Sequence, residues 1–270
     1  MKRQAELVAK WMSFGFIHGV MNTDNISIAG ETIDYGPCAF MESYDLATVF
    51  SSIDHAGRYA YGNQPNIMQW NLARFAETLL PLIAENLKGN TRLAQERATK
   101  AVQNFIPEYE QAWLRQAACK LGVKEVIRVQ SLLPKWLDLL SMDRVDFTLA
   151  WRYLCDAATG HENELTALFK NKQALADWLI EWRACLQEEN LKEEKLKRTI
   201  LHMKKHNPLI IPRNHLVESA LEMAESEGLE AFYALLSAIQ KPYEEVKAHI
   251  KYTVPASSSF TSSYQTFCGT

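Results

Sequence analysis

The chain has no glycine-rich run. Its 11 glycines are scattered over 270 residues, so no backbone loop of the kind that cradles nucleotide phosphates can be read from it. It has no C-x-x-C either. Cys38, Cys119, Cys155, Cys185 and Cys268 are odd in number and far apart, which argues against a disulfide scaffold and suits a reducing cytoplasm. No apolar run approaches the roughly 18 residues of a membrane span, and Met1-Lys2-Arg3 leads to Glu6, not to the apolar stretch of a signal peptide. An excess of one charge is missing too: 29 Lys and Arg against 32 Asp and Glu leave -3, without the clustered basic face that nucleic acid requires. What remains, 47% hydrophobic and 23% charged, is enough for a globular protein with a real core.

The chemistry is concentrated near the start. His18-Gly19-Val20-Met21-Asn22-Thr23-Asp24-Asn25 is followed, nine residues past Asn25, by Asp34-Tyr35-Gly36. A loop ending in Asp-Asn, a short hairpin and then Asp-aromatic-Gly is how kinase-like enzymes hold Mg²⁺ on a nucleoside triphosphate. Residues 25–29 read as a strand, Gly30-Glu31 as a two-residue turn and residues 32–34 as the return strand. Two metal ligands, Asn25 and Asp34, then sit at the open end of one ribbon. Protein kinases place the catalytic Asp five residues before this Asn. Here that position is Val20, which can neither take a proton nor bind a cation, and the only carboxylate of the loop is Asp24. His18 reads as a brace for the turn rather than as a base.

These motifs, with Asp34-Tyr35-Gly36-Pro37 and the later Asp54-His55-Ala56-Gly57-Arg58-Tyr59 and Gly62-Asn63-Gln64-Pro65, resemble the selenoprotein O (SelO) family. The resemblance continues through Asn207-Pro208 and Ile211-Pro212-Arg213-Asn214-His215 to Phe267-Cys268-Gly269-Thr270. It implies a kinase-like fold and the transfer of AMP from ATP to Ser, Thr or Tyr hydroxyls of protein substrates. It assigns Asp24 to the attacking hydroxyl and Asn25 and Asp34 to Mg²⁺ or Mn²⁺, with Asp34 also at the nucleotide. Only 17 residues precede His18. They carry Leu7, Val8, Trp11 and Met12 at helical spacing, so they look like the helix entering a catalytic loop. The chain thus resembles the C-terminal half of a family member, with most of the ATP site in a missing N-lobe and little activity alone. Two other readings stay open: a kinase-like phosphotransferase, and a non-catalytic remnant acting as a binding module.

The expected fold is mainly α: a kinase-like C-lobe with a small catalytic β-hairpin and a helical C-terminal extension. The divisions fall at 1–88, 89–250 and 251–270. Residues 36–67 read as a long functional loop, whose part from Tyr44 to Pro65 lies where kinases place the activation segment. A helix runs from Met68 to about Leu87, kinked or cut by Pro81. Thr91 caps the next one, toward Phe105. Further helices fall at 108–121, 123–140, 144–157, 162–169, 171–188 and about 190–205. Asn214 caps another, and a last one covers 229–239. Residues 252–270, rich in Ser and Thr, read as an extended tail.

Other residues are open to more than one use. Arg58 suits either a phosphate or a carboxylate. His202 and His206 are spaced i, i+4 but lack the Glu of H-E-x-x-H and flank two lysines, so they read as a solvated basic helix end. The seven tryptophans read as core and the run Glu188-Glu189 to Glu193-Glu194 as a solvated face. Cys38, beside Asp34, and Cys268, on the tail, are a candidate redox pair, which the occurrence of selenocysteine near this end in some relatives supports. A disulfide needs their Cα atoms within about 7 Å.

Overall fold

The computed structural model describes residues 1–189 and 192–267. The described chain is mainly helical and divides into two units. The first holds residues 1–39, 46–113 and 265–270, the second residues 40–45 and 114–264.

In the first unit α1 (Lys2–Phe14) buries Ala5, Val8, Trp11 and Met12 on one face, the spacing expected of an amphipathic helix. It stops at Gly15, whose φ of 70° is the left-handed closure glycine accepts without penalty. β1 (Phe16–Ile17) follows and pairs with β2 (Ala39–Phe40). After an irregular stretch comes α2 (Gln64–Asn86), with Pro65 in its first turn, where the missing N–H costs nothing. Pro81 does not end α2, which continues five residues beyond it. Pro81 and Glu77 are both exposed, so the carbonyl that proline leaves unpaired can meet water. α3 (Thr91–Gln103) returns along α2 through Ala94 and Ala98, both buried. Its cap is Asn90, whose Oδ1 accepts the Leu93 N–H at 3.0 Å, not Thr91.

The boundary between the units falls inside α4 (Phe105–Leu121). In the second unit α5 (Val126–Asp143), α6 (Phe147–Ala157), α7 (Asn163–Leu168) and α8 (Lys172–Glu189) follow. Their core is a run of indoles: Trp136 packs on Trp151 and Trp178, with ring centres 5.6 and 4.6 Å apart, and Trp178 stacks on Trp182. The buried N–H of Trp178 donates to the Leu132 carbonyl and that of Trp182 to Leu121, whereas the indole N–H groups of Trp136 and Trp151 are enclosed without a hydrogen-bond partner among the described residues. Five of the seven tryptophans are buried as expected; Trp113 is half-buried and Trp70 is 41% exposed. Glu188 and Glu189 are not simply a solvated face. Glu188 pairs with Arg128, and Glu189 accepts the backbone N–H groups of Lys124 and Glu125 ahead of α5.

α9 (Glu193–Lys204), α10 (Asn214–Ser226) and α11 (Glu230–Ile239) follow in the second unit, the last two around Ile210, Leu235, Ala238 and Tyr252. Asn214 is the first helical residue rather than the cap, and its amide donates to the Phe40 carbonyl. The tail is not extended throughout: residues 247–253 form a 3₁₀ stretch, and Ser257 caps α12 (Ser258–Ser263) by accepting the Phe260 N–H. Arg213, fully buried, donates to Glu42 and, at 2.8 Å, to Asp146. Asp146 in turn caps α6 through Leu149. The motif residues 211–215 therefore act within a buried polar clamp. Burial, and then the charge of Asp146, push the Glu42 carboxyl up to about 7 against the opposing pull of Arg213.

Candidate active site

The hairpin is present but built differently from expectation. Residues 23–25 form a 3₁₀ turn, and one antiparallel bridge, Ile26 with Thr32, closes the ribbon. The turn lies at Ile28-Ala29, where the Gly30 N–H reaches the Ser27 carbonyl at 3.1 Å, not at Gly30-Glu31. Gly30 has φ +79°, and a Cβ there would stand 2.7 Å from that of Arg3. Helix α1 braces the ribbon from beneath. Gln4 donates to the Ser27 carbonyl at 2.5 Å, and the Trp11 indole N–H donates to Thr32 Oγ1 at 2.8 Å.

The loop 16–21 hangs from α2. Gln64 accepts the His18 N–H and donates to the Phe16 carbonyl, both at 3.0 Å. Asn71, two helical turns further along the same face, donates to the Met21 carbonyl at 2.9 Å. His18 is fully buried, and burial lowers its pKa. As a neutral ring it donates from Nε2 to the Ile33 carbonyl at 2.9 Å, one residue before Asp34. A buried donor to a backbone carbonyl positions a chain and does not shuttle protons.

Asn25 Nδ2 donates to the Val20 carbonyl at 3.2 Å. That leaves Oδ1 as the ligand atom, the donor type Mg²⁺ and Mn²⁺ take. Asp34 is exposed and has φ 55°, in a region that non-glycine residues rarely occupy and Asp tolerates best. Its Oδ1 sits 3.4 Å from the Gly36 N–H. Asp24 is exposed on the 3₁₀ turn directly before Asn25. The donor set, one amide oxygen and one or two carboxylates open to solvent, fits a hard divalent ion that keeps several waters. The cavity of about 460 Å³ in this unit is elsewhere: Ile26, Ile28, Leu72, Phe75 and Leu79 line it, and none of Asp24, Asn25 or Asp34 does. Its walls are mostly apolar, and the two amides that border it, Gln4 and Asn71, are engaged by the Ser27 and Met21 carbonyls, which marks it as packing space beside the hairpin rather than the reaction centre.

The loop carrying Arg58 is tied to the same place. The Asp54 carboxylate accepts the N–H groups of Arg58 and Tyr59 at 2.8 and 2.7 Å, and the Tyr59 hydroxyl donates to Asn22 at 2.6 Å. The Arg58 guanidinium lies 4.7 Å over the Trp70 ring, and no carboxylate among the described residues pairs with it. An Asp four and five residues ahead of the N–H groups it holds was readable as turn chemistry. Exposed Trp70 was not, because tryptophan is ordinarily core.

Cys38 is half-buried, and its thiol is pushed up to about 11, mainly by burial and then by the charge of Asp34. Cys268 lies outside the described residues. Thr266, two residues ahead of it, pairs with Ser51, and its hydroxyl donates to the Pro37 carbonyl at 2.7 Å.

A family model described as "Protein adenylyltransferase SelO" matches residues 1–240. The chain is 49% identical to "Protein nucleotidyltransferase YdiU" of Chromobacterium violaceum, covering all of this chain and 55% of that protein. It is 46% identical to the proteins of the same name in Maridesulfovibrio salexigens and Mycolicibacterium smegmatis, covering 99% of this chain in each case and 53% and 51% of theirs. The chain thus spans about half the length of the curated relatives it matches, and it belongs to the SelO family.

Proposed function

We propose that this chain is the catalytic C-terminal half of a protein adenylyltransferase, which transfers AMP from ATP to a protein hydroxyl and releases pyrophosphate. The observation that supports the reading is one braced hairpin, closed by the Ile26–Thr32 bridge, with Asp24 and Asn25 just before it and Asp34 just after it, in a chain whose family match covers that hairpin. Asp24 orients the attacking hydroxyl and draws off its proton. Asn25 and Asp34 hold Mg²⁺ or Mn²⁺, which neutralises charge growing on the phosphates. Arg58, stacked and without a carboxylate partner among the described residues, is placed for a phosphate or an acidic patch on the substrate protein. Val20 at the kinase-aspartate position sets this loop apart from that of an ordinary protein kinase and leaves Asp24 as its only carboxylate. No helix of the described residues is long and apolar enough to cross a membrane, in keeping with a cytoplasmic enzyme acting on soluble proteins.

The chain alone transfers little or nothing, because triphosphate left open to water is neither held in line nor strongly polarised. The test joins it to the N-terminal half of a relative and weighs substrate proteins after incubation with ATP and Mg²⁺. A mass gain of one AMP supports the proposal, a gain of one phosphate replaces it with kinase chemistry, and no gain leaves the binding-module reading. Asp34→Ala is expected to abolish metal-dependent nucleotide binding, and Asp24→Ala to keep binding while stopping transfer. Full turnover by Asp24→Ala would overturn the roles.

A further inference from the structure

A second group of ligand-type side chains converges in the other unit. One ring nitrogen from each of His202 and His206 and the Sγ of Cys119 lie within 4.8 Å of one another. His202 is in the last turn of α9 and His206 just past its end, and Cys119 is in the last turn of α4. The fold fixes this approach. Gly122, with φ +70°, follows α4 and leaves room for α9: a Cβ there would lie 2.6 Å from Met203 Sδ and 2.9 Å from Thr199. Met203, between the histidines, is fully buried. Asn207 donates to the Lys120 carbonyl at 3.0 Å, and Arg152 donates to the carbonyls of Lys204 and Asn207. The segment 202–207 is therefore clamped on both sides of the cluster.

We propose that Cys119, His202 and His206 bind a divalent transition-metal ion of the zinc class. Two imidazoles and a thiolate are the donors such an ion prefers, and a hard ion such as Mg²⁺ does not. In a tetrahedral site these atoms stand roughly 3.3–3.6 Å apart, so side-chain rotation about exposed His202 and half-buried His206 closes the remaining ångström. His206 Nδ1 lies 2.9 Å from the His202 carbonyl. Donation there selects the tautomer with Nε2 free, the arrangement that orients metal-bound histidines. Binding converts the Cys119 thiol to thiolate and releases its proton to solvent. Three protein ligands leave a fourth position for water or an incoming group.

The test titrates the chelator-treated, purified chain with Zn²⁺ against a chromophoric competitor, and separately with Co²⁺ read by absorbance. One Zn²⁺ per chain is expected, with a thiolate-to-cobalt charge-transfer band. Cys119→Ser should remove that band, and Cys119→Ser and His202→Gln should each weaken Zn²⁺ at least about tenfold, a loss that even an outer partner of a ligand can cause. His202 is exposed, so its substitution leaves folding intact, as far-UV circular dichroism will verify. Absence of stoichiometric binding, unchanged affinity in both variants, or a band that survives Cys119→Ser would overturn the site.

Discussion

His18 reaches the Ile33 carbonyl from Nε2 at 2.9 Å, so the first motif holds the second through one hydrogen bond, placed a single residue before Asp34. Substituting His18→Phe keeps a buried ring but strands that carbonyl. The expected cost is about 1 kcal/mol of stability, together with weaker Mn²⁺ binding at Asp34, because the corner is no longer held. Chemical denaturation and metal titration of the same sample check both. Equal metal affinity in the variant would show that the bond serves folding alone.

Gly19 has φ +86°, and a Cβ on it would stand 2.4 Å from the Pro37 carbonyl oxygen. Gly19→Ala adds that clash to left-handed strain and should destabilise by more than about 2 kcal/mol. Gly89 offers the control, since its φ is +82° but nothing lies within 4 Å of its Cβ position. Gly89→Ala should cost only the strain, about 1–2 kcal/mol. Urea unfolding of the two variants measures the difference, and equal losses would refute the role given to the Pro37 contact.

The buried clamp makes a pH claim. Glu42 is raised from 4.5 to about 7 in the folded chain, so the unfolded chain releases that proton first. Its contribution to stability is complete below 4.5 and is lost as pH rises to about 7. Glu42→Gln keeps a neutral partner for Arg213 and should flatten that part of the profile. Melting temperatures from pH 4.5 to 8 for both proteins decide it, and parallel curves would contradict the assignment.

Cys38 and Cys268 are proposed as a redox-sensitive pair, at the point where the described tail ends beside Pro37. A thiol raised to about 11 is a slow nucleophile at neutral pH, so the bond should form slowly and under oxidant, not on standing in air. Peptide mapping after mild oxidation should recover the linked pair from folded protein. Only unlinked Cys38 under those conditions rules it out.

Much of this was legible in the sequence where a single local rule decides. Amphipathic spacing located α1, and the Asp-Asn and Asp-Tyr-Gly spacing located the hairpin. The rest depended on partners distant in sequence. The turn settled at Ile28-Ala29 because Gly30 must pass under Arg3 of α1, which no local turn preference reveals. Pro81 stayed helical because its face of α2 is solvated. Trp70 stayed outside as a platform for Arg58, and the histidines at 202 and 206 became interesting only once α4 brought Cys119 beside them.

The bond from Thr266 to Pro37 spans 229 positions. Ribosomes add about 5–20 residues per second, so Pro37 waits on the order of tens of seconds for its partner while the intervening helices emerge. A chain broken off in α11 can bury its indoles and still lack the closing contact beside Asp34. The corner beside Asp34 is thereby among the last parts of the described fold to close, and a product that stops before Thr266 carries it without that contact.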